Sequence, residues 1–502
     1  MQTRIEIKRR GIFSIIVNEL FVFILIMAFF APQVMSTDYY VATNGTDNNN
    51  GSINSPWRSL KHAIDVAGAG DTIFMRGGTY TTNEVWIKDD MGGAPGQYMT
   101  IKNYPGETVS VGGSRWFDVE GPYVRIEGLH FRLPYSIDIN SNGQVVNNTF
   151  IGSQAGYGVI FAGGDNLLIE GNHIEVTGGG DTQDHGIYLI HATNVVIRNN
   201  FISGASGYNI HIYDEDKGSG EKKRYENVLV ENNFLTSSQE RAGIVIGAHD
   251  QTVEMDGITI RNNVFANHPW EGILIKYEPI SNVTIINNTF YGNNDGGINI
   301  FTGIDNLVIR NNIFANSGQS HIGISGSISN GTISHNLYSQ PQSGSGDSQP
   351  LYGDPLFVNI SEEDFHLKEG SPAIDAGMDV GIPYTGSGPD VGAFEYGMES
   401  ATTEKDRIVL EKIDLLQNYP NPFNPVTEIS YSLPYDADVE LSIFDITGSR
   451  VKTLVKEIET GGFKTVKWDG KDENNMNVSS GTYFYQLKAG KFSIARRMLL
   501  IR

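Results

Sequence analysis

The chain has 502 residues, too many for one ordinary domain, so several units or a repeat array are expected. Its formal charge of −22 argues against nucleic acid as a partner and leaves room for divalent cations held by carboxylates. The absence of cysteine excludes disulfides, thiolate metal sites and a cysteine nucleophile, while 58 glycines and many Asn-Gly and Asn-Asn pairs point to short strands and tight turns.

Residues 1–36 read as a signal peptide. Arg4, Lys8, Arg9 and Arg10 precede an apolar stretch from Gly11 to Pro32, and Val34-Met35-Ser36 offers a cleavage site. The alternative is an uncleaved anchor, against which Asn18 and Glu19 interrupt the apolar run. Residues 37–121 read as a cap and first coils. There Leu60, Ala63, Ile64 and Ala67 share one face of a short predicted helix that plugs the first coil.

From 122 to 340 one pattern recurs. It reads DNLLIEGNHI from Asp165, TNVVIRNNFI from Thr193, ENVLVENNFL from Glu226 and DGITIRNNVF from Asp256. It continues as SNVTIINNTF from Ser281, DNLVIRNNIF from Asp305 and SNGTISHNLY from Ser329. The starts lie 24 to 33 residues apart, a solenoid period. Between copies stands a second strand: HGIYLIH from His185, YNIHIY from Tyr208, GIVIG from Gly243, GILIKY from Gly272, GINIF from Gly297 and GISG from Gly323. Alternating apolar residues and the lack of any helical period predict an all-β solenoid, a right-handed parallel β-helix with each strand paired to its equivalent in the next coil. The paired asparagines, Asn199-Asn200 through Asn311-Asn312, are expected to stack at one bend, satisfying buried backbone groups and adopting left-handed conformations.

The front segment from Asp38, with GDTIFMRGGTY, and the stretch DPLFVNISEEDFHLKEGSPAIDAG with PDVGAFEYG in 341–397 resemble the two ends of secreted β-helix proteins of the pectin-lyase-like and chondroitinase-B-like group. The resemblance covers about Asp38 to Gly397 and implies architecture far more than chemistry.

In the GIxI strands the middle residue points outward, giving a column of Tyr188, His211, Val245, Leu274, Asn299 and Ser325. An offset of 23 lays HGIYLIH on YNIHIYD, placing Tyr188 beside His211 and His191 beside Asp214. The longest loops, and an excess of polar and aromatic residues, fall on the coils from Asp181 to Glu278. Such a patch on a rigid sheet suits a polysaccharide cleft. For β-elimination on a uronate, His211 or Lys276 is the candidate base and Tyr188 or Tyr213 the candidate acid. Arg241, or Ca²⁺ held by Asp181, Asp184, Asp214 or Asp216, is the candidate neutraliser of the sugar carboxylate. His185, His249, Trp270 and Tyr277 are the candidate substrate-binding residues. Two alternatives stand beside this reading. One is a glycoside hydrolase pairing Asp184 or Asp214 with Glu271 or Glu278; the other is a non-catalytic glycan-binding scaffold.

Residues 398–414 read as a linker. From Leu415, alternating strands with Gly-Gly, Asp-Gly and Ser-Gly turns predict a small immunoglobulin-like β-sandwich. QNYPNPFNP, WDG, SSGTYFYQL and ARRMLLIR resemble the type A sorting domain of the type IX secretion system and the related domain of flagellar hook-assembly proteins. That resemblance, over 415–502, implies the type IX secretion machinery as a partner and the surface or surroundings of a Gram-negative cell as the destination. A carbohydrate-binding sandwich is the alternative. A monomer is expected.

Overall fold

The computed structural model describes residues 36–397 apart from 82–84, 114–115, 135, 154–157, 179–182, 215–222, 250–252, 278, 319–320 and 342–345. It describes 414–501 apart from 416–417, 419–422, 434–436, 460–461, 475 and 491. The segments expected as a signal peptide, up to Met35, and as a linker, from Met398 to Ile413, lie outside the described residues.

The repeats wind into a three-sided solenoid whose strands pair in parallel, coil on coil. Ten strands of the first side carry the argument about function. They are β1 (Val85–Ile87), β2 (Phe117–Val119), β3 (Ile137–Ile139), β4 (Gly158–Asp165), β5 (His185–Arg198), β6 (Ile210–Asp214), β7 (Ile244–Ala248), β8 (Glu271–Tyr277), β9 (Gly296–Ile300) and β10 (Ile322–Ile324). Several strands, β5 among them, run on around a bend into the second side, so the first two sides form one sheet of 22 strands. The third side is a sheet of 12.

Stacking sets the core. Ile187, Ile210, Ile244, Ile273, Ile298 and Ile322 follow one another in register, pointing inward. Opposite them the rings of Phe265, Phe290 and Phe314 stack at 4.8 and 4.9 Å, nearly coplanar. These rings explain the glycine that opens each GIxI strand: a Cβ on Gly272 would stand 2.5 Å from Phe290, and one on Gly297 would stand 2.4 Å from Phe314.

The asparagine pairs divide the labour at their bend. The first member, as in Asn199, Asn232, Asn262 and Asn311, takes positive φ. The second is buried, and its side-chain amide donates to the next coil's asparagine. This ladder runs unbroken through Asn148, Asn172, Asn200, Asn233, Asn263, Asn288, Asn312 and Asn336 at 2.8–3.2 Å and ends on Asp347.

At the front, helix α1 (Leu60–Val66) is capped by Ser59 and buries Leu60, Ala63 and Ile64 in the solenoid core, as the sequence predicts. The segment in 341–397 does more than close the far end. After pairing Leu351–Tyr352 with the last coil, it folds back along the outside of the third side. Phe357, Phe365, Leu367 and Val391 there pack on Phe201, Phe234, Val264 and Ile313.

The C-terminal domain packs two antiparallel sheets. One holds Asp414–Leu415, Thr427–Leu433 and Gly462–Trp468; the other holds Arg450–Glu459, Ala437–Phe444, Gly481–Ala489 and Phe492–Leu500. Trp468, Tyr431, Tyr485 and Leu441 fill the space between them.

Candidate functional site

The outward column of the first side starts from strand register. Tyr188, His211, Val245, Leu274 and Asn299 lie in line across β5 to β9, as expected. The sixth place belongs to Gly323, not Ser325, because Ile322 and Ile324 pair with Ile298 and Ile300 and so fix Gly323 opposite Asn299.

These residues face away from the core, yet most are not exposed. His211 is only 2% exposed and His185 only 1%. They stack on each other at 4.2 Å, with Tyr188 edge-on to His211 at 4.3 Å and Tyr208 against His185 at 5.6 Å. Tyr208, Tyr213, Ala242, Val245 and Leu274 make a separate apolar cluster on this outer face, with Trp270 at its margin. The expectation of an outward, accessible His211 is therefore corrected: outward in a solenoid means away from the core, and neighbouring rings cover it. Burial drives the His211 imidazole well below its ordinary value, helped by His185 and Lys276. His185 is pushed down to about 3 by burial and by the charge of Arg241. Both rings are neutral at pH 7. His185 Nδ1 accepts from the Tyr208 backbone N–H at 3.0 Å, a structural bond.

The cations and the accessible rings gather at the edge of this cluster. Arg241 and Trp270 occupy the same corner on successive coils, and the guanidinium lies 4.6 Å over the indole. Tyr213, Gly247 and Lys276 are in register, and Gly247 has no side chain. Lys276 therefore reaches across two coils, with Nζ 5.4 Å from the Tyr213 ring and 5.0 Å from Tyr277. Tyr277 is 51% exposed and His249, 4.5 Å from it, is exposed too. The sequence-predicted Arg241, His249, Trp270, Lys276 and Tyr277 thus meet around the cluster of His185, Tyr188, His211 and Tyr213. Tyr208 was missed; its signal was the register with His185 that the same offset of 23 supplies.

Asp214 is fully buried and accepts from His191 Nε2 at 2.8 Å and from Lys223 Nζ at 3.1 Å. The expected His191–Asp214 neighbourhood is present, and His191 adopts φ 40, a left-handed conformation. With an ammonium and an imidazole on its carboxylate, Asp214 serves as an internal counter-ion. Asp184 is also fully buried. Asp181 and Asp216, like Glu278, lie outside the described residues. Among the described residues no three of His, Asp and Glu converge to hold a metal ion, and two of the four expected Ca²⁺ ligands, Asp181 and Asp216, are not among those residues. Glu271 is buried and accepts from Asn299 Nδ2 at 2.7 Å.

Protein-family models match most of the solenoid. Residues 39–178 match the Pel9A-like, right handed beta helix region, and residues 125–255 and 223–346 match the right handed beta helix region. The solenoid is a right-handed parallel β-helix. Behind it, residues 423–491 match the FlgD Ig-like domain. Among curated proteins, the chain is 31% identical over 150 residues to the uncharacterized protein YwoF of Bacillus subtilis, covering 29% of this chain. It is 41% identical over 83 residues to the pectate lyase PEL9 of Emericella nidulans, covering 16% of this chain. The matched segments span 30% and 20% of those relatives' own lengths. A crystal structure of pectate lyase Pel9A aligns with 72% of this chain and 97% of its own, at 19% identity and a TM-score of 0.49. Within the β-helix, the rigid first side supplies the platform and the corners before β7 and β8 supply Arg241 and Trp270.

Proposed function

We propose that the outer face of the first side binds an acidic polysaccharide, with Arg241 and Lys276 meeting its carboxylates and Trp270 and Tyr277 stacking on its sugar rings. The observation that carries this reading is the pairing of each cation with a ring at the accessible edge of a rigid sheet, on adjacent coils. The pectate lyase among the relatives supports the same substrate class.

Cleavage, in this reading, is β-elimination. Arg241 neutralises the uronate, a base takes the C5 proton, the C4–O bond breaks as the C4=C5 double bond forms, and the departing oxygen takes a proton from the candidate acid Tyr188 or Tyr213 or from water. His211 is unsuited to be that base, because burial makes its imidazole a weak proton acceptor. The role falls to Lys276, which serves as base only as the neutral amine; in the purely binding reading it is the ammonium that meets a carboxylate. A purely binding protein is the second reading, favoured by Val245 and Leu274, which fill the centre of the face with apolar side chains. Ca²⁺ held by Asp181, Asp184, Asp214 or Asp216 remains a proposal, and no step depends on it.

The test is to incubate the protein with polygalacturonate, alginate and other anionic polysaccharides, recording the ultraviolet absorbance of the unsaturated product and retention in affinity electrophoresis. Retention that weakens with salt supports side-chain cations, and retention that weakens with chelator supports a metal. Retention without unsaturated product leaves the binding reading and removes the lyase. No retention on any acidic polymer removes both.

The C-terminal domain is proposed to direct export through the type IX secretion machinery to the surface or surroundings of a Gram-negative cell, after removal of the signal peptide. Its motifs QNYPNPFNP and ARRMLLIR and its sandwich fold support this reading.

A further inference from the structure

The outward row of the first side does not begin at Tyr188. In register along it stand Trp86, Asp118, Asp138, Phe161, Tyr188 and His211. Phe161 meets Tyr188 edge-on at 5.0 Å, so the row is continuous with the cluster already described. At its far end Trp86 is 48% exposed, and Trp116, one residue before β2, is 38% exposed. Asp118 and Asp138 follow each other on adjacent coils, about 4.8 Å apart along the solenoid. Glu120 is exposed, immediately after β2, which carries Asp118. Burial, together with Asp118 and Glu120, raises the Asp138 carboxyl to about 7. Near neutrality that group divides between a form that only accepts hydrogen bonds and a form that also donates one.

The sign of the charge decides what lies here. A uronate carboxylate over Asp118, Asp138 and Glu120 meets like charge, and Lys88, whose Nζ is 5.3 Å from the Trp86 ring, is outnumbered by those three. A neutral sugar meets two exposed indoles and carboxyl groups that bind hydroxyls. Arg241 and Lys276 stand four and five coils beyond Asp138, about 19–24 Å at the spacing of stacked strands. A single glycan laid along this row therefore meets acids at one end and bases at the other.

We propose that the Trp86–Asp138 stretch is a subsite for neutral sugar units, so that the ligand is a heteropolysaccharide in which uronates are interspersed with neutral sugars. This rests on the acidic-polysaccharide reading given above and narrows it: a polymer made only of uronates is disfavoured.

The experiment measures affinity of the full chain for two kinds of probe. Polygalacturonate and alginate carry uronates alone; hyaluronan and rhamnogalacturonan backbone alternate uronates with neutral sugars. The expected result is binding at least about tenfold tighter to an alternating polymer than to either polyuronate. Two variants probe the row, with thermal melting to confirm the fold: Trp86→Ala with Trp116→Ala, and Asp118→Lys. The first is expected to weaken the alternating polymer about tenfold or more while leaving polyuronate binding unchanged. The second reverses a charge and is expected to raise affinity for polygalacturonate. If a polyuronate binds as tightly as any alternating polymer, or if neither variant changes the preference, the neutral subsite is overturned while acidic-glycan binding stands. If no probe is bound, both are overturned together.

Discussion

At the scale of single residues, burial separates two candidates that look equal on paper. His211 and Lys276 both point away from the core, but His211 is enclosed by rings while Lys276 is half-exposed at their edge. Lys276→Ala is expected to leave the melting temperature near that of the parent and to lower any lyase turnover by ~10²-fold or more. His211→Ala is expected to do the reverse, opening a cavity that costs about 2–4 kcal/mol in denaturant unfolding. Unchanged stability of His211→Ala together with lost turnover would return the base to His211. Asp138 offers a test by pH. Its folded value is raised from 3.8 to about 7, so its stabilising contribution is whole below 3.8 and is lost as pH rises through about 7. Asp138→Asn should therefore narrow the fall in melting temperature between pH 4 and 7. Parallel melting curves of parent and variant across that window would contradict the assignment.

At the scale of elements, the ladders carry the fold. Asn233 receives the Asn200 backbone N–H and side-chain amide on Oδ1, and its own amide reaches Ile197 O and Asn263 Oδ1. Asn233→Ala strands several buried groups at once, each costing about 1–3 kcal/mol, so cooperative unfolding is expected at markedly lower denaturant. Ile197→Asp buries a charge in the same stack and should cost more than about 4 kcal/mol. The repeat made these elements legible: the spacing of NNxF and GIxI copies gave the coils, the strands, both asparagine roles and most of the outward column. The slip at Ser325 came from the last copy, where GISG mimics GINIF two residues out of place. Burial of the outer face was not legible, because alternation tells which way a side chain points but not what covers it. The acid row was missed for a different reason. Its coils carry only the short triplets Phe117-Asp118-Val119 and Ile137-Asp138-Ile139, apolar–acid–apolar strands without the repeat motif that would have set their register.

At the scale of the whole molecule, the chain divides between a solenoid that supplies the surface and a C-terminal sandwich proposed to deliver it. The hydrophobic clusters of the solenoid run from Val41 to Val391, and that of the sandwich from Leu415 to Leu500, with no residue in common. The solenoid's front helix, its ladders and its folded-back segment all precede the sandwich in sequence. Deleting Leu415 to Arg502 is therefore expected to leave the solenoid folded, with its melting temperature and its glycan affinity unchanged. In the native host the same deletion is expected to hold the protein in the periplasm, because the motifs that resemble a type IX sorting domain go with it. Fractionating the cells and blotting for the solenoid reads both halves at once. Truncated protein that accumulates in the periplasm, folded and competent to bind, supports delivery by the sandwich. Truncated protein outside the cell at normal levels would contradict that role and leave the sandwich as a binding module, which loss of affinity in the truncated chain would independently show.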